Sequence, residues 1–140
     1  MTAGPMTVVF ACVHNAGRSQ MAAAFFNEIA DPGRGRALSA GTEPAAVVHP
    51  AVVSVMREAG VDISRARPRR LTADLAPRID WLITMGCGEL CPVVPGAQRE
   101  DWPLDDPKGQ PLPRVRQIRD DIRRRVDAFV TREGLRAARS

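Results

Sequence analysis

The sequence predicts an α/β fold, a three-layer sandwich on a four-stranded parallel sheet, and two observations carry that expectation. Short apolar runs suited to buried strands alternate with segments whose apolar residues recur every three or four positions. The chain is 140 residues long and shows no internal repeat or low-complexity stretch, so residues 1–140 are expected to form one domain with its own core. Parallel strands joined by right-handed crossovers place ligands at the carboxyl ends of the strands.

Thr7 to Cys12 reads as the first strand, with Val8, Val9 and Phe10 at its buried centre. A helix from about Ser19 to Ala30 follows. Its Met21, Phe25 and Ile29 recur every fourth residue and form a stripe facing the sheet, Ser19 stands at the N-cap, and Asp31-Pro32-Gly33 ends it. Arg36 to Ala40 is the second strand. The second helix opens at Pro50, buries Val52, Val55, Met56 and Ala59 on one face, and stops at Gly60. Arg65 to Arg70 is basic and contains Pro68, so it reads as an exposed connection; Leu71 to Ala76 is expected to form a short helix capped by Thr72. Trp81 to Met85 is the third strand. Gly86 to Gly96 is a long connection carrying Cys87 and Cys91, and a short fourth strand ends near Asp101. The last helix runs from about Leu112 to Thr131, with Val115, Ile118, Ile122, Val126 and Phe129 at intervals of three and four.

A net charge of +4 and a pI of about 9.7 raise the question of nucleic acid. Lys108 is the single lysine among 20 basic residues, and the densest arginine cluster, Arg116, Arg119, Arg123 and Arg124, is interrupted by Asp120, Asp121 and Asp127. That pattern describes a salt-bridged helix face and argues against a nucleic-acid partner. Met1 to Pro5 is small and uncharged, and no long apolar run follows, so neither a signal peptide nor a membrane partner is expected. Three cysteines, an odd number, argue against a secreted disulfide framework and point to the cytoplasm, where thiols are available for chemistry.

The chemistry is concentrated in Cys12-Val13-His14-Asn15-Ala16-Gly17-Arg18-Ser19, between the first strand and the first helix. Asn15 and Gly17 permit a tight turn. Successive backbone N–H groups from Val13, His14, Asn15, Ala16, Gly17, Arg18 and Ser19, with the positive end of the helix dipole, make an oxyanion cradle, and Arg18 grips two oxygens with its planar fork. The same field favours the thiolate of Cys12, the competent nucleophile. Cys-x5-Arg spacing alone is equally an accident of a buried strand-end cysteine and a surface charge; its place between a strand and a helix gives it meaning. A second chemical run, Asp101-Trp102-Pro103-Leu104-Asp105-Asp106-Pro107, lies between the last strand and the last helix. It reads either as an acidic turn or as a carboxylic acid poised over the same sheet edge. Cys87 and Cys91 have weak metal-ligand spacing, with only His14 and His49 to add imidazoles, so no metal site is expected. His14 reads as loop architecture and His49 as a helix-start residue.

Taken together, these runs resemble the low-molecular-weight protein tyrosine phosphatase superfamily and, within it, the arsenate reductases. The resemblance rests on Cys12 through Arg18 followed by Ser19-Gln20-Met21-Ala22, on Ser39-Ala40-Gly41, on Thr84-Met85-Gly86-Cys87 and Cys91-Pro92, and on Asp101-Trp102 leading to Asp105-Asp106-Pro107. It implies that Cys12 is the nucleophile, Arg18 the oxyanion ligand and Asp106 the general acid, with Asn15 and Ser19 shaping the loop. It also implies one of two reducing thiol donors and no tightly bound cofactor: in the thioredoxin-coupled branch Cys87 and Cys91 relay a disulfide to thioredoxin, whereas in a related branch the small thiol mycothiol, with its mycoredoxin, attacks the arsenate adduct directly. The chain has no tyrosine, and Lys108-Gly109 follow the Asp-Pro pair where the phosphatases resembled carry aromatic walls for phosphotyrosine. Arsenate needs no such walls, and the two further cysteines supply the electrons that its reduction requires. Two departures stand out: three residues separate Cys87 from Cys91, fewer than in the thioredoxin-coupled members, and Ala23 stands where those members often carry a glutamate tied to potassium. Reduction of arsenate is the leading expectation, hydrolysis of phosphate monoesters the second. A non-catalytic oxyanion-binding module is the third, and it leaves the thiol at position 12 without a purpose.

Overall fold

The computed structural model describes residues 4–72, 74–76, 78–86 and 93–136. Among them the elements run β1 (Met6–Cys12), α1 (Arg18–Ile29), β2 (Gly35–Gly41), α2 (Pro50–Glu58), β3 (Trp81–Thr84), β4 (Gln98–Asp101) and α3 (Leu112–Arg132). The four strands form one parallel sheet in the order β2-β1-β3-β4. Register brings the strand ends level, with Cys12 opposite Gly41, Ala11 opposite Thr84, and Thr84 opposite Asp101. All four carboxyl ends therefore open onto one edge.

The two-residue period of a strand divides β1 between two cores. Val8, Phe10 and Cys12 face the helices, packing in one cluster with Met21, Phe25 and Phe26 of α1, Val52 and Met56 of α2, and Ile118, Ile122 and Phe129 of α3. Val9 and Ala11 face the other way, with Leu82 and Ala40, against Leu71, Ala76 and Ile79. The sheet is thus the middle of three layers, and among the described residues irregular connections form the third.

The helix expected over Leu71–Ala76 is absent among its described residues. The backbone near it is recruited by the sheet edge instead: Gly41 N–H donates to the Arg69 carbonyl and Leu71 N–H to the Gly41 carbonyl, both at 2.8 Å. Leu71 and Ala76 are buried, packed against Val9, Ala11, Ala40 and Leu82 on that face of the sheet. The α1 stripe is also wider than Met21, Phe25 and Ile29. Phe26 and Ala22 are fully buried while Ile29 is only partly so, because α1 packs on α3 as well as on the sheet. By contrast, α2 ends as predicted: Gly60 N–H reaches the Arg57 carbonyl and Val61 N–H the Met56 carbonyl, a Schellman closure.

The aromatic residues define the helix-side core. Phe10 lies 6.1 Å from Phe26 and 5.6 Å from Trp102 between ring centroids, and Trp81 meets Phe129 edge-on at 5.2 Å. All four phenylalanines and both tryptophans are buried. Arg116, Arg119 and Arg124 of α3 form the paired face that the sequence suggested, while Arg123 lies over the Phe25 ring. Arg116 grips Glu58 of α2 through two 2.9 Å bonds, Arg119 adds a third at 3.1 Å, and Arg124 lies 3.5 Å from Asp121. Among the described residues no helix is long and apolar enough to cross a membrane.

Candidate active site

β1 delivers Cys12 to the open edge of the sheet, and α1 begins six residues later at Arg18. The intervening loop is held from outside through its carbonyls. Those of Cys12, Val13, His14 and Ala16 accept from the N–H groups of Thr42, Glu43, Ala45 and His49 at 3.2, 2.7, 2.9 and 3.0 Å, and that of Asn15 accepts from Gln20 Nε2 at 3.0 Å. A trans peptide points its N–H opposite its C=O. The N–H groups of Val13, His14, Asn15, Ala16 and Gly17 are accordingly turned away from this outer belt, toward the loop's interior at the α1 N-terminus, where anions are favoured.

Asn15 is the hinge of the loop, fully buried and at φ 52°. Its Oδ1 accepts from Arg69 N–H at 2.9 Å and Gln20 Nε2 at 3.1 Å, while its Nδ2 donates to Ser19 Oγ at 2.7 Å. Ser19 does not cap the helix as expected. Gly17 holds the N-cap position without a side-chain cap, and the Ser19 hydroxyl, buried inside the first turn, sits 2.9 Å from Cys12 Sγ. A capping serine satisfies the helix's own N–H groups; here no side chain caps them and the hydroxyl is bonded to the thiol.

Arg18 is 8 % exposed, with Nη1 donating to the Leu104 carbonyl at 3.1 Å and Nη2 3.6 Å from Asp106 Oδ2. The run after β4 therefore folds over the Cys12 loop. Pro107 packs so closely that a Cβ on Gly17 would lie 2.8 Å from its Cγ. Of the two neighbouring aspartates, Asp105 pairs outward with Arg114, whereas Asp106 turns to Arg18 and accepts from Lys108 N–H at 3.0 Å. His14 Nδ1–H donates to the Glu43 carbonyl at 3.0 Å, which gives it the loop role expected. Burial holds His49 below the ordinary histidine range, with Lys108 and His14 adding to the effect and the Asp106 carboxylate opposing it.

Cys12, Arg18 and Asp106 thus converge. Cys87 and Cys91 lie outside the described residues. Gln20 and the backbone of Arg67 and Arg69 also build the site, since Gln20 Nε2 reaches the Arg67 carbonyl at 3.3 Å. Gln20 had a signal, a polar residue beside the apolar stripe of α1; backbone contacts have none. Among the described residues no group of three histidine, cysteine or carboxylate side chains is placed to hold a metal. The arrangement sets a thiol, a guanidinium and a carboxyl group around the N-terminus of α1, groups that can act on a tetrahedral anion.

The chain belongs to the low molecular weight phosphotyrosine protein phosphatase family, whose pattern matches residues 7–139. It is 45% identical over 125 residues to a Halobacterium salinarum protein provisionally named an arsenate reductase, covering 84% of this chain and 85% of that protein. It is 32% identical over 130 residues to arsenate reductase 2 of Staphylococcus haemolyticus, covering 90% and 97% respectively. Among solved structures it superposes on the thioredoxin-dependent arsenate reductase of Corynebacterium glutamicum with a TM-score of 0.80 and 37% identity. That match takes in 96% of this chain but only 64% of the other, so the chain spans about two thirds of that relative.

Proposed function

We propose that this chain reduces arsenate to arsenite with electrons from thiols, in arsenic detoxification. One observation favours it over hydrolysis of aryl phosphates: every aromatic side chain is committed to the core, and Lys108 and Gly109 follow Pro107 at the mouth. A cradle without aromatic walls suits a small inorganic oxyanion. The names of the relatives, arsenate reductases on the same fold, agree with this reading.

In the proposed reaction the Cys12 thiolate attacks arsenic, forming a sulfur–arsenic bond while an oxygen departs as water. The loop N–H groups and Arg18 hold the other oxygens, and Asp106 protonates the leaving one. A second thiol then attacks Cys12 Sγ. The sulfur–arsenic bond breaks with its electron pair left on arsenic, a disulfide forms, and arsenite departs. Cys87 is assigned the first attack and Cys91 the second, after which thioredoxin reduces the resulting disulfide. The thioredoxin dependence of the Corynebacterium relative supports that donor. The reaction belongs in a reducing compartment such as the cytoplasm.

Purified protein incubated with arsenate and thioredoxin, with arsenate, mycothiol and mycoredoxin, and with an aryl phosphate tests the reading. Arsenite release in the first mixture is expected. Release only with mycothiol makes Cys87 and Cys91 dispensable, hydrolysis of the aryl phosphate alone makes the protein a phosphatase, and no reaction in any mixture leaves an oxyanion-binding module. Within the relay, Cys91→Ser should stall after one turnover as a Cys12–Cys87 disulfide visible by mass spectrometry. Cys87→Ser should bind arsenate without releasing arsenite.

A further inference from the structure

We propose that Gly86 is a positioning residue for oxyanion binding, keeping clear the space in which the Arg18 guanidinium must lie. Arg18 is a long, buried cation fixed on one side by the Leu104 carbonyl and Asp106. Gly86 stands against the guanidinium as well, nearest its Nη1, two residues beyond the end of β3. A Cβ built there would lie 2.4 Å from Arg18 Nη1 and 3.3 Å from its Cζ. Both are inside the contact distance of about 3.5 to 4.0 Å between heavy atoms. The obstructed atom is the far end of a flexible side chain, so the strand need not move. The guanidinium must, and a planar fork that has shifted no longer offers its N–H groups to an oxyanion at the same place.

Gly86 also has φ +93°, which makes any side chain there strained for a second reason. The molecule holds its own control for that strain. Gly60 has φ +83°, and an added Cβ there meets nothing within 4 Å. Substitution at Gly60 carries the backbone cost without the collision.

The inference rests on the Cys12 loop being an oxyanion cradle, and inorganic phosphate is the probe. Its affinity is measured calorimetrically for the wild type, Gly86→Ala, Gly60→Ala, Arg18→Lys and the Gly86→Ala/Arg18→Lys double variant, alongside urea midpoints. Gly86→Ala should weaken phosphate about tenfold or more, the scale of one charged hydrogen bond. Gly60→Ala should bind within about twofold of wild type despite a comparable loss of stability. The double variant should bind no more weakly than the weaker single, because Gly86 acts only through Arg18. Should Gly86→Ala not fold, Gly86→Asn carries the same Cβ in a residue that enters positive φ more readily, and the same outcomes apply. Gly86→Ala binding phosphate as Gly60→Ala does, or losses that multiply in the double variant, would overturn the inference alone. Wild-type protein that fails to bind phosphate overturns the cradle and the inference with it.

Discussion

Replacing Asn15 by alanine removes three hydrogen bonds, two of them buried and one partly so, and forces a Cβ-bearing residue with no polar group into φ 52°. At a net value of about 0.5 to 1.5 kcal/mol per bond, the hydrogen bonds account for about 1.5 to 4.5 kcal/mol. Left-handed backbone adds about 1 to 2 kcal/mol for alanine. The sum, about 2.5 to 6.5 kcal/mol, is a large part of the roughly 5 to 15 kcal/mol that typically holds a domain together. Asn15→Gly loses the same bonds without the strain, so it should retain about 1 kcal/mol more than Asn15→Ala, after allowing for glycine's own entropy. Urea unfolding measures both, read as midpoint shifts at unchanged slope. Activity should fall by about two orders of magnitude in each, because the N–H groups of the cradle lose their fixed directions. An Asn15→Ala protein within about 1 kcal/mol of wild type, or a glycine variant less stable than the alanine variant, would falsify this account of the loop.

Asp106→Asn should lower kcat about 10²- to 10⁴-fold in single-turnover arsenate assays, whereas Asp105→Asn, whose carboxylate pairs with Arg114, should leave the chemical step intact. The reverse pattern would move the acid to Asp105. Phe129→Ala, at the centre of the cluster with Phe26, Trp81 and Trp102, should cost about 3 to 5 kcal/mol by urea titration; a loss under about 1 kcal/mol would contradict the packing described. His49 carries a pH effect whose direction follows from its burial. It stays neutral in the fold to a lower pH than its ordinary 6.5, so over that window the unfolded chain binds more protons. Stability from this group is complete above 6.5 and is lost as pH falls through the folded value. Urea midpoints at about pH 7.5 and about pH 5.5 should therefore differ less in His49→Gln than in wild type, and an equal difference would remove His49 as the source.

What one stretch of chain specifies locally was legible in the amino-acid order. Apolar spacing marked α1, α2 and α3, and Gly60 ended α2, because periodicity and turn chemistry are properties of neighbours. The Cys12–Arg18 loop was legible for the same reason, since strand, turn and helix N-terminus are contiguous. Tertiary structure decided the rest. It took Ser19 from its expected cap to the Cys12 thiol, and it drew the backbone at 69–71 onto Gly41 where a short helix was expected. It turned Asp106 rather than Asp105 toward Arg18, and it set Gly86 against the same guanidinium. Each of these joins segments far apart in sequence, several through backbone N–H and C=O groups. Nearly every residue carries those groups, so their partners leave no signature in residue type, and only the folded chain selects among them.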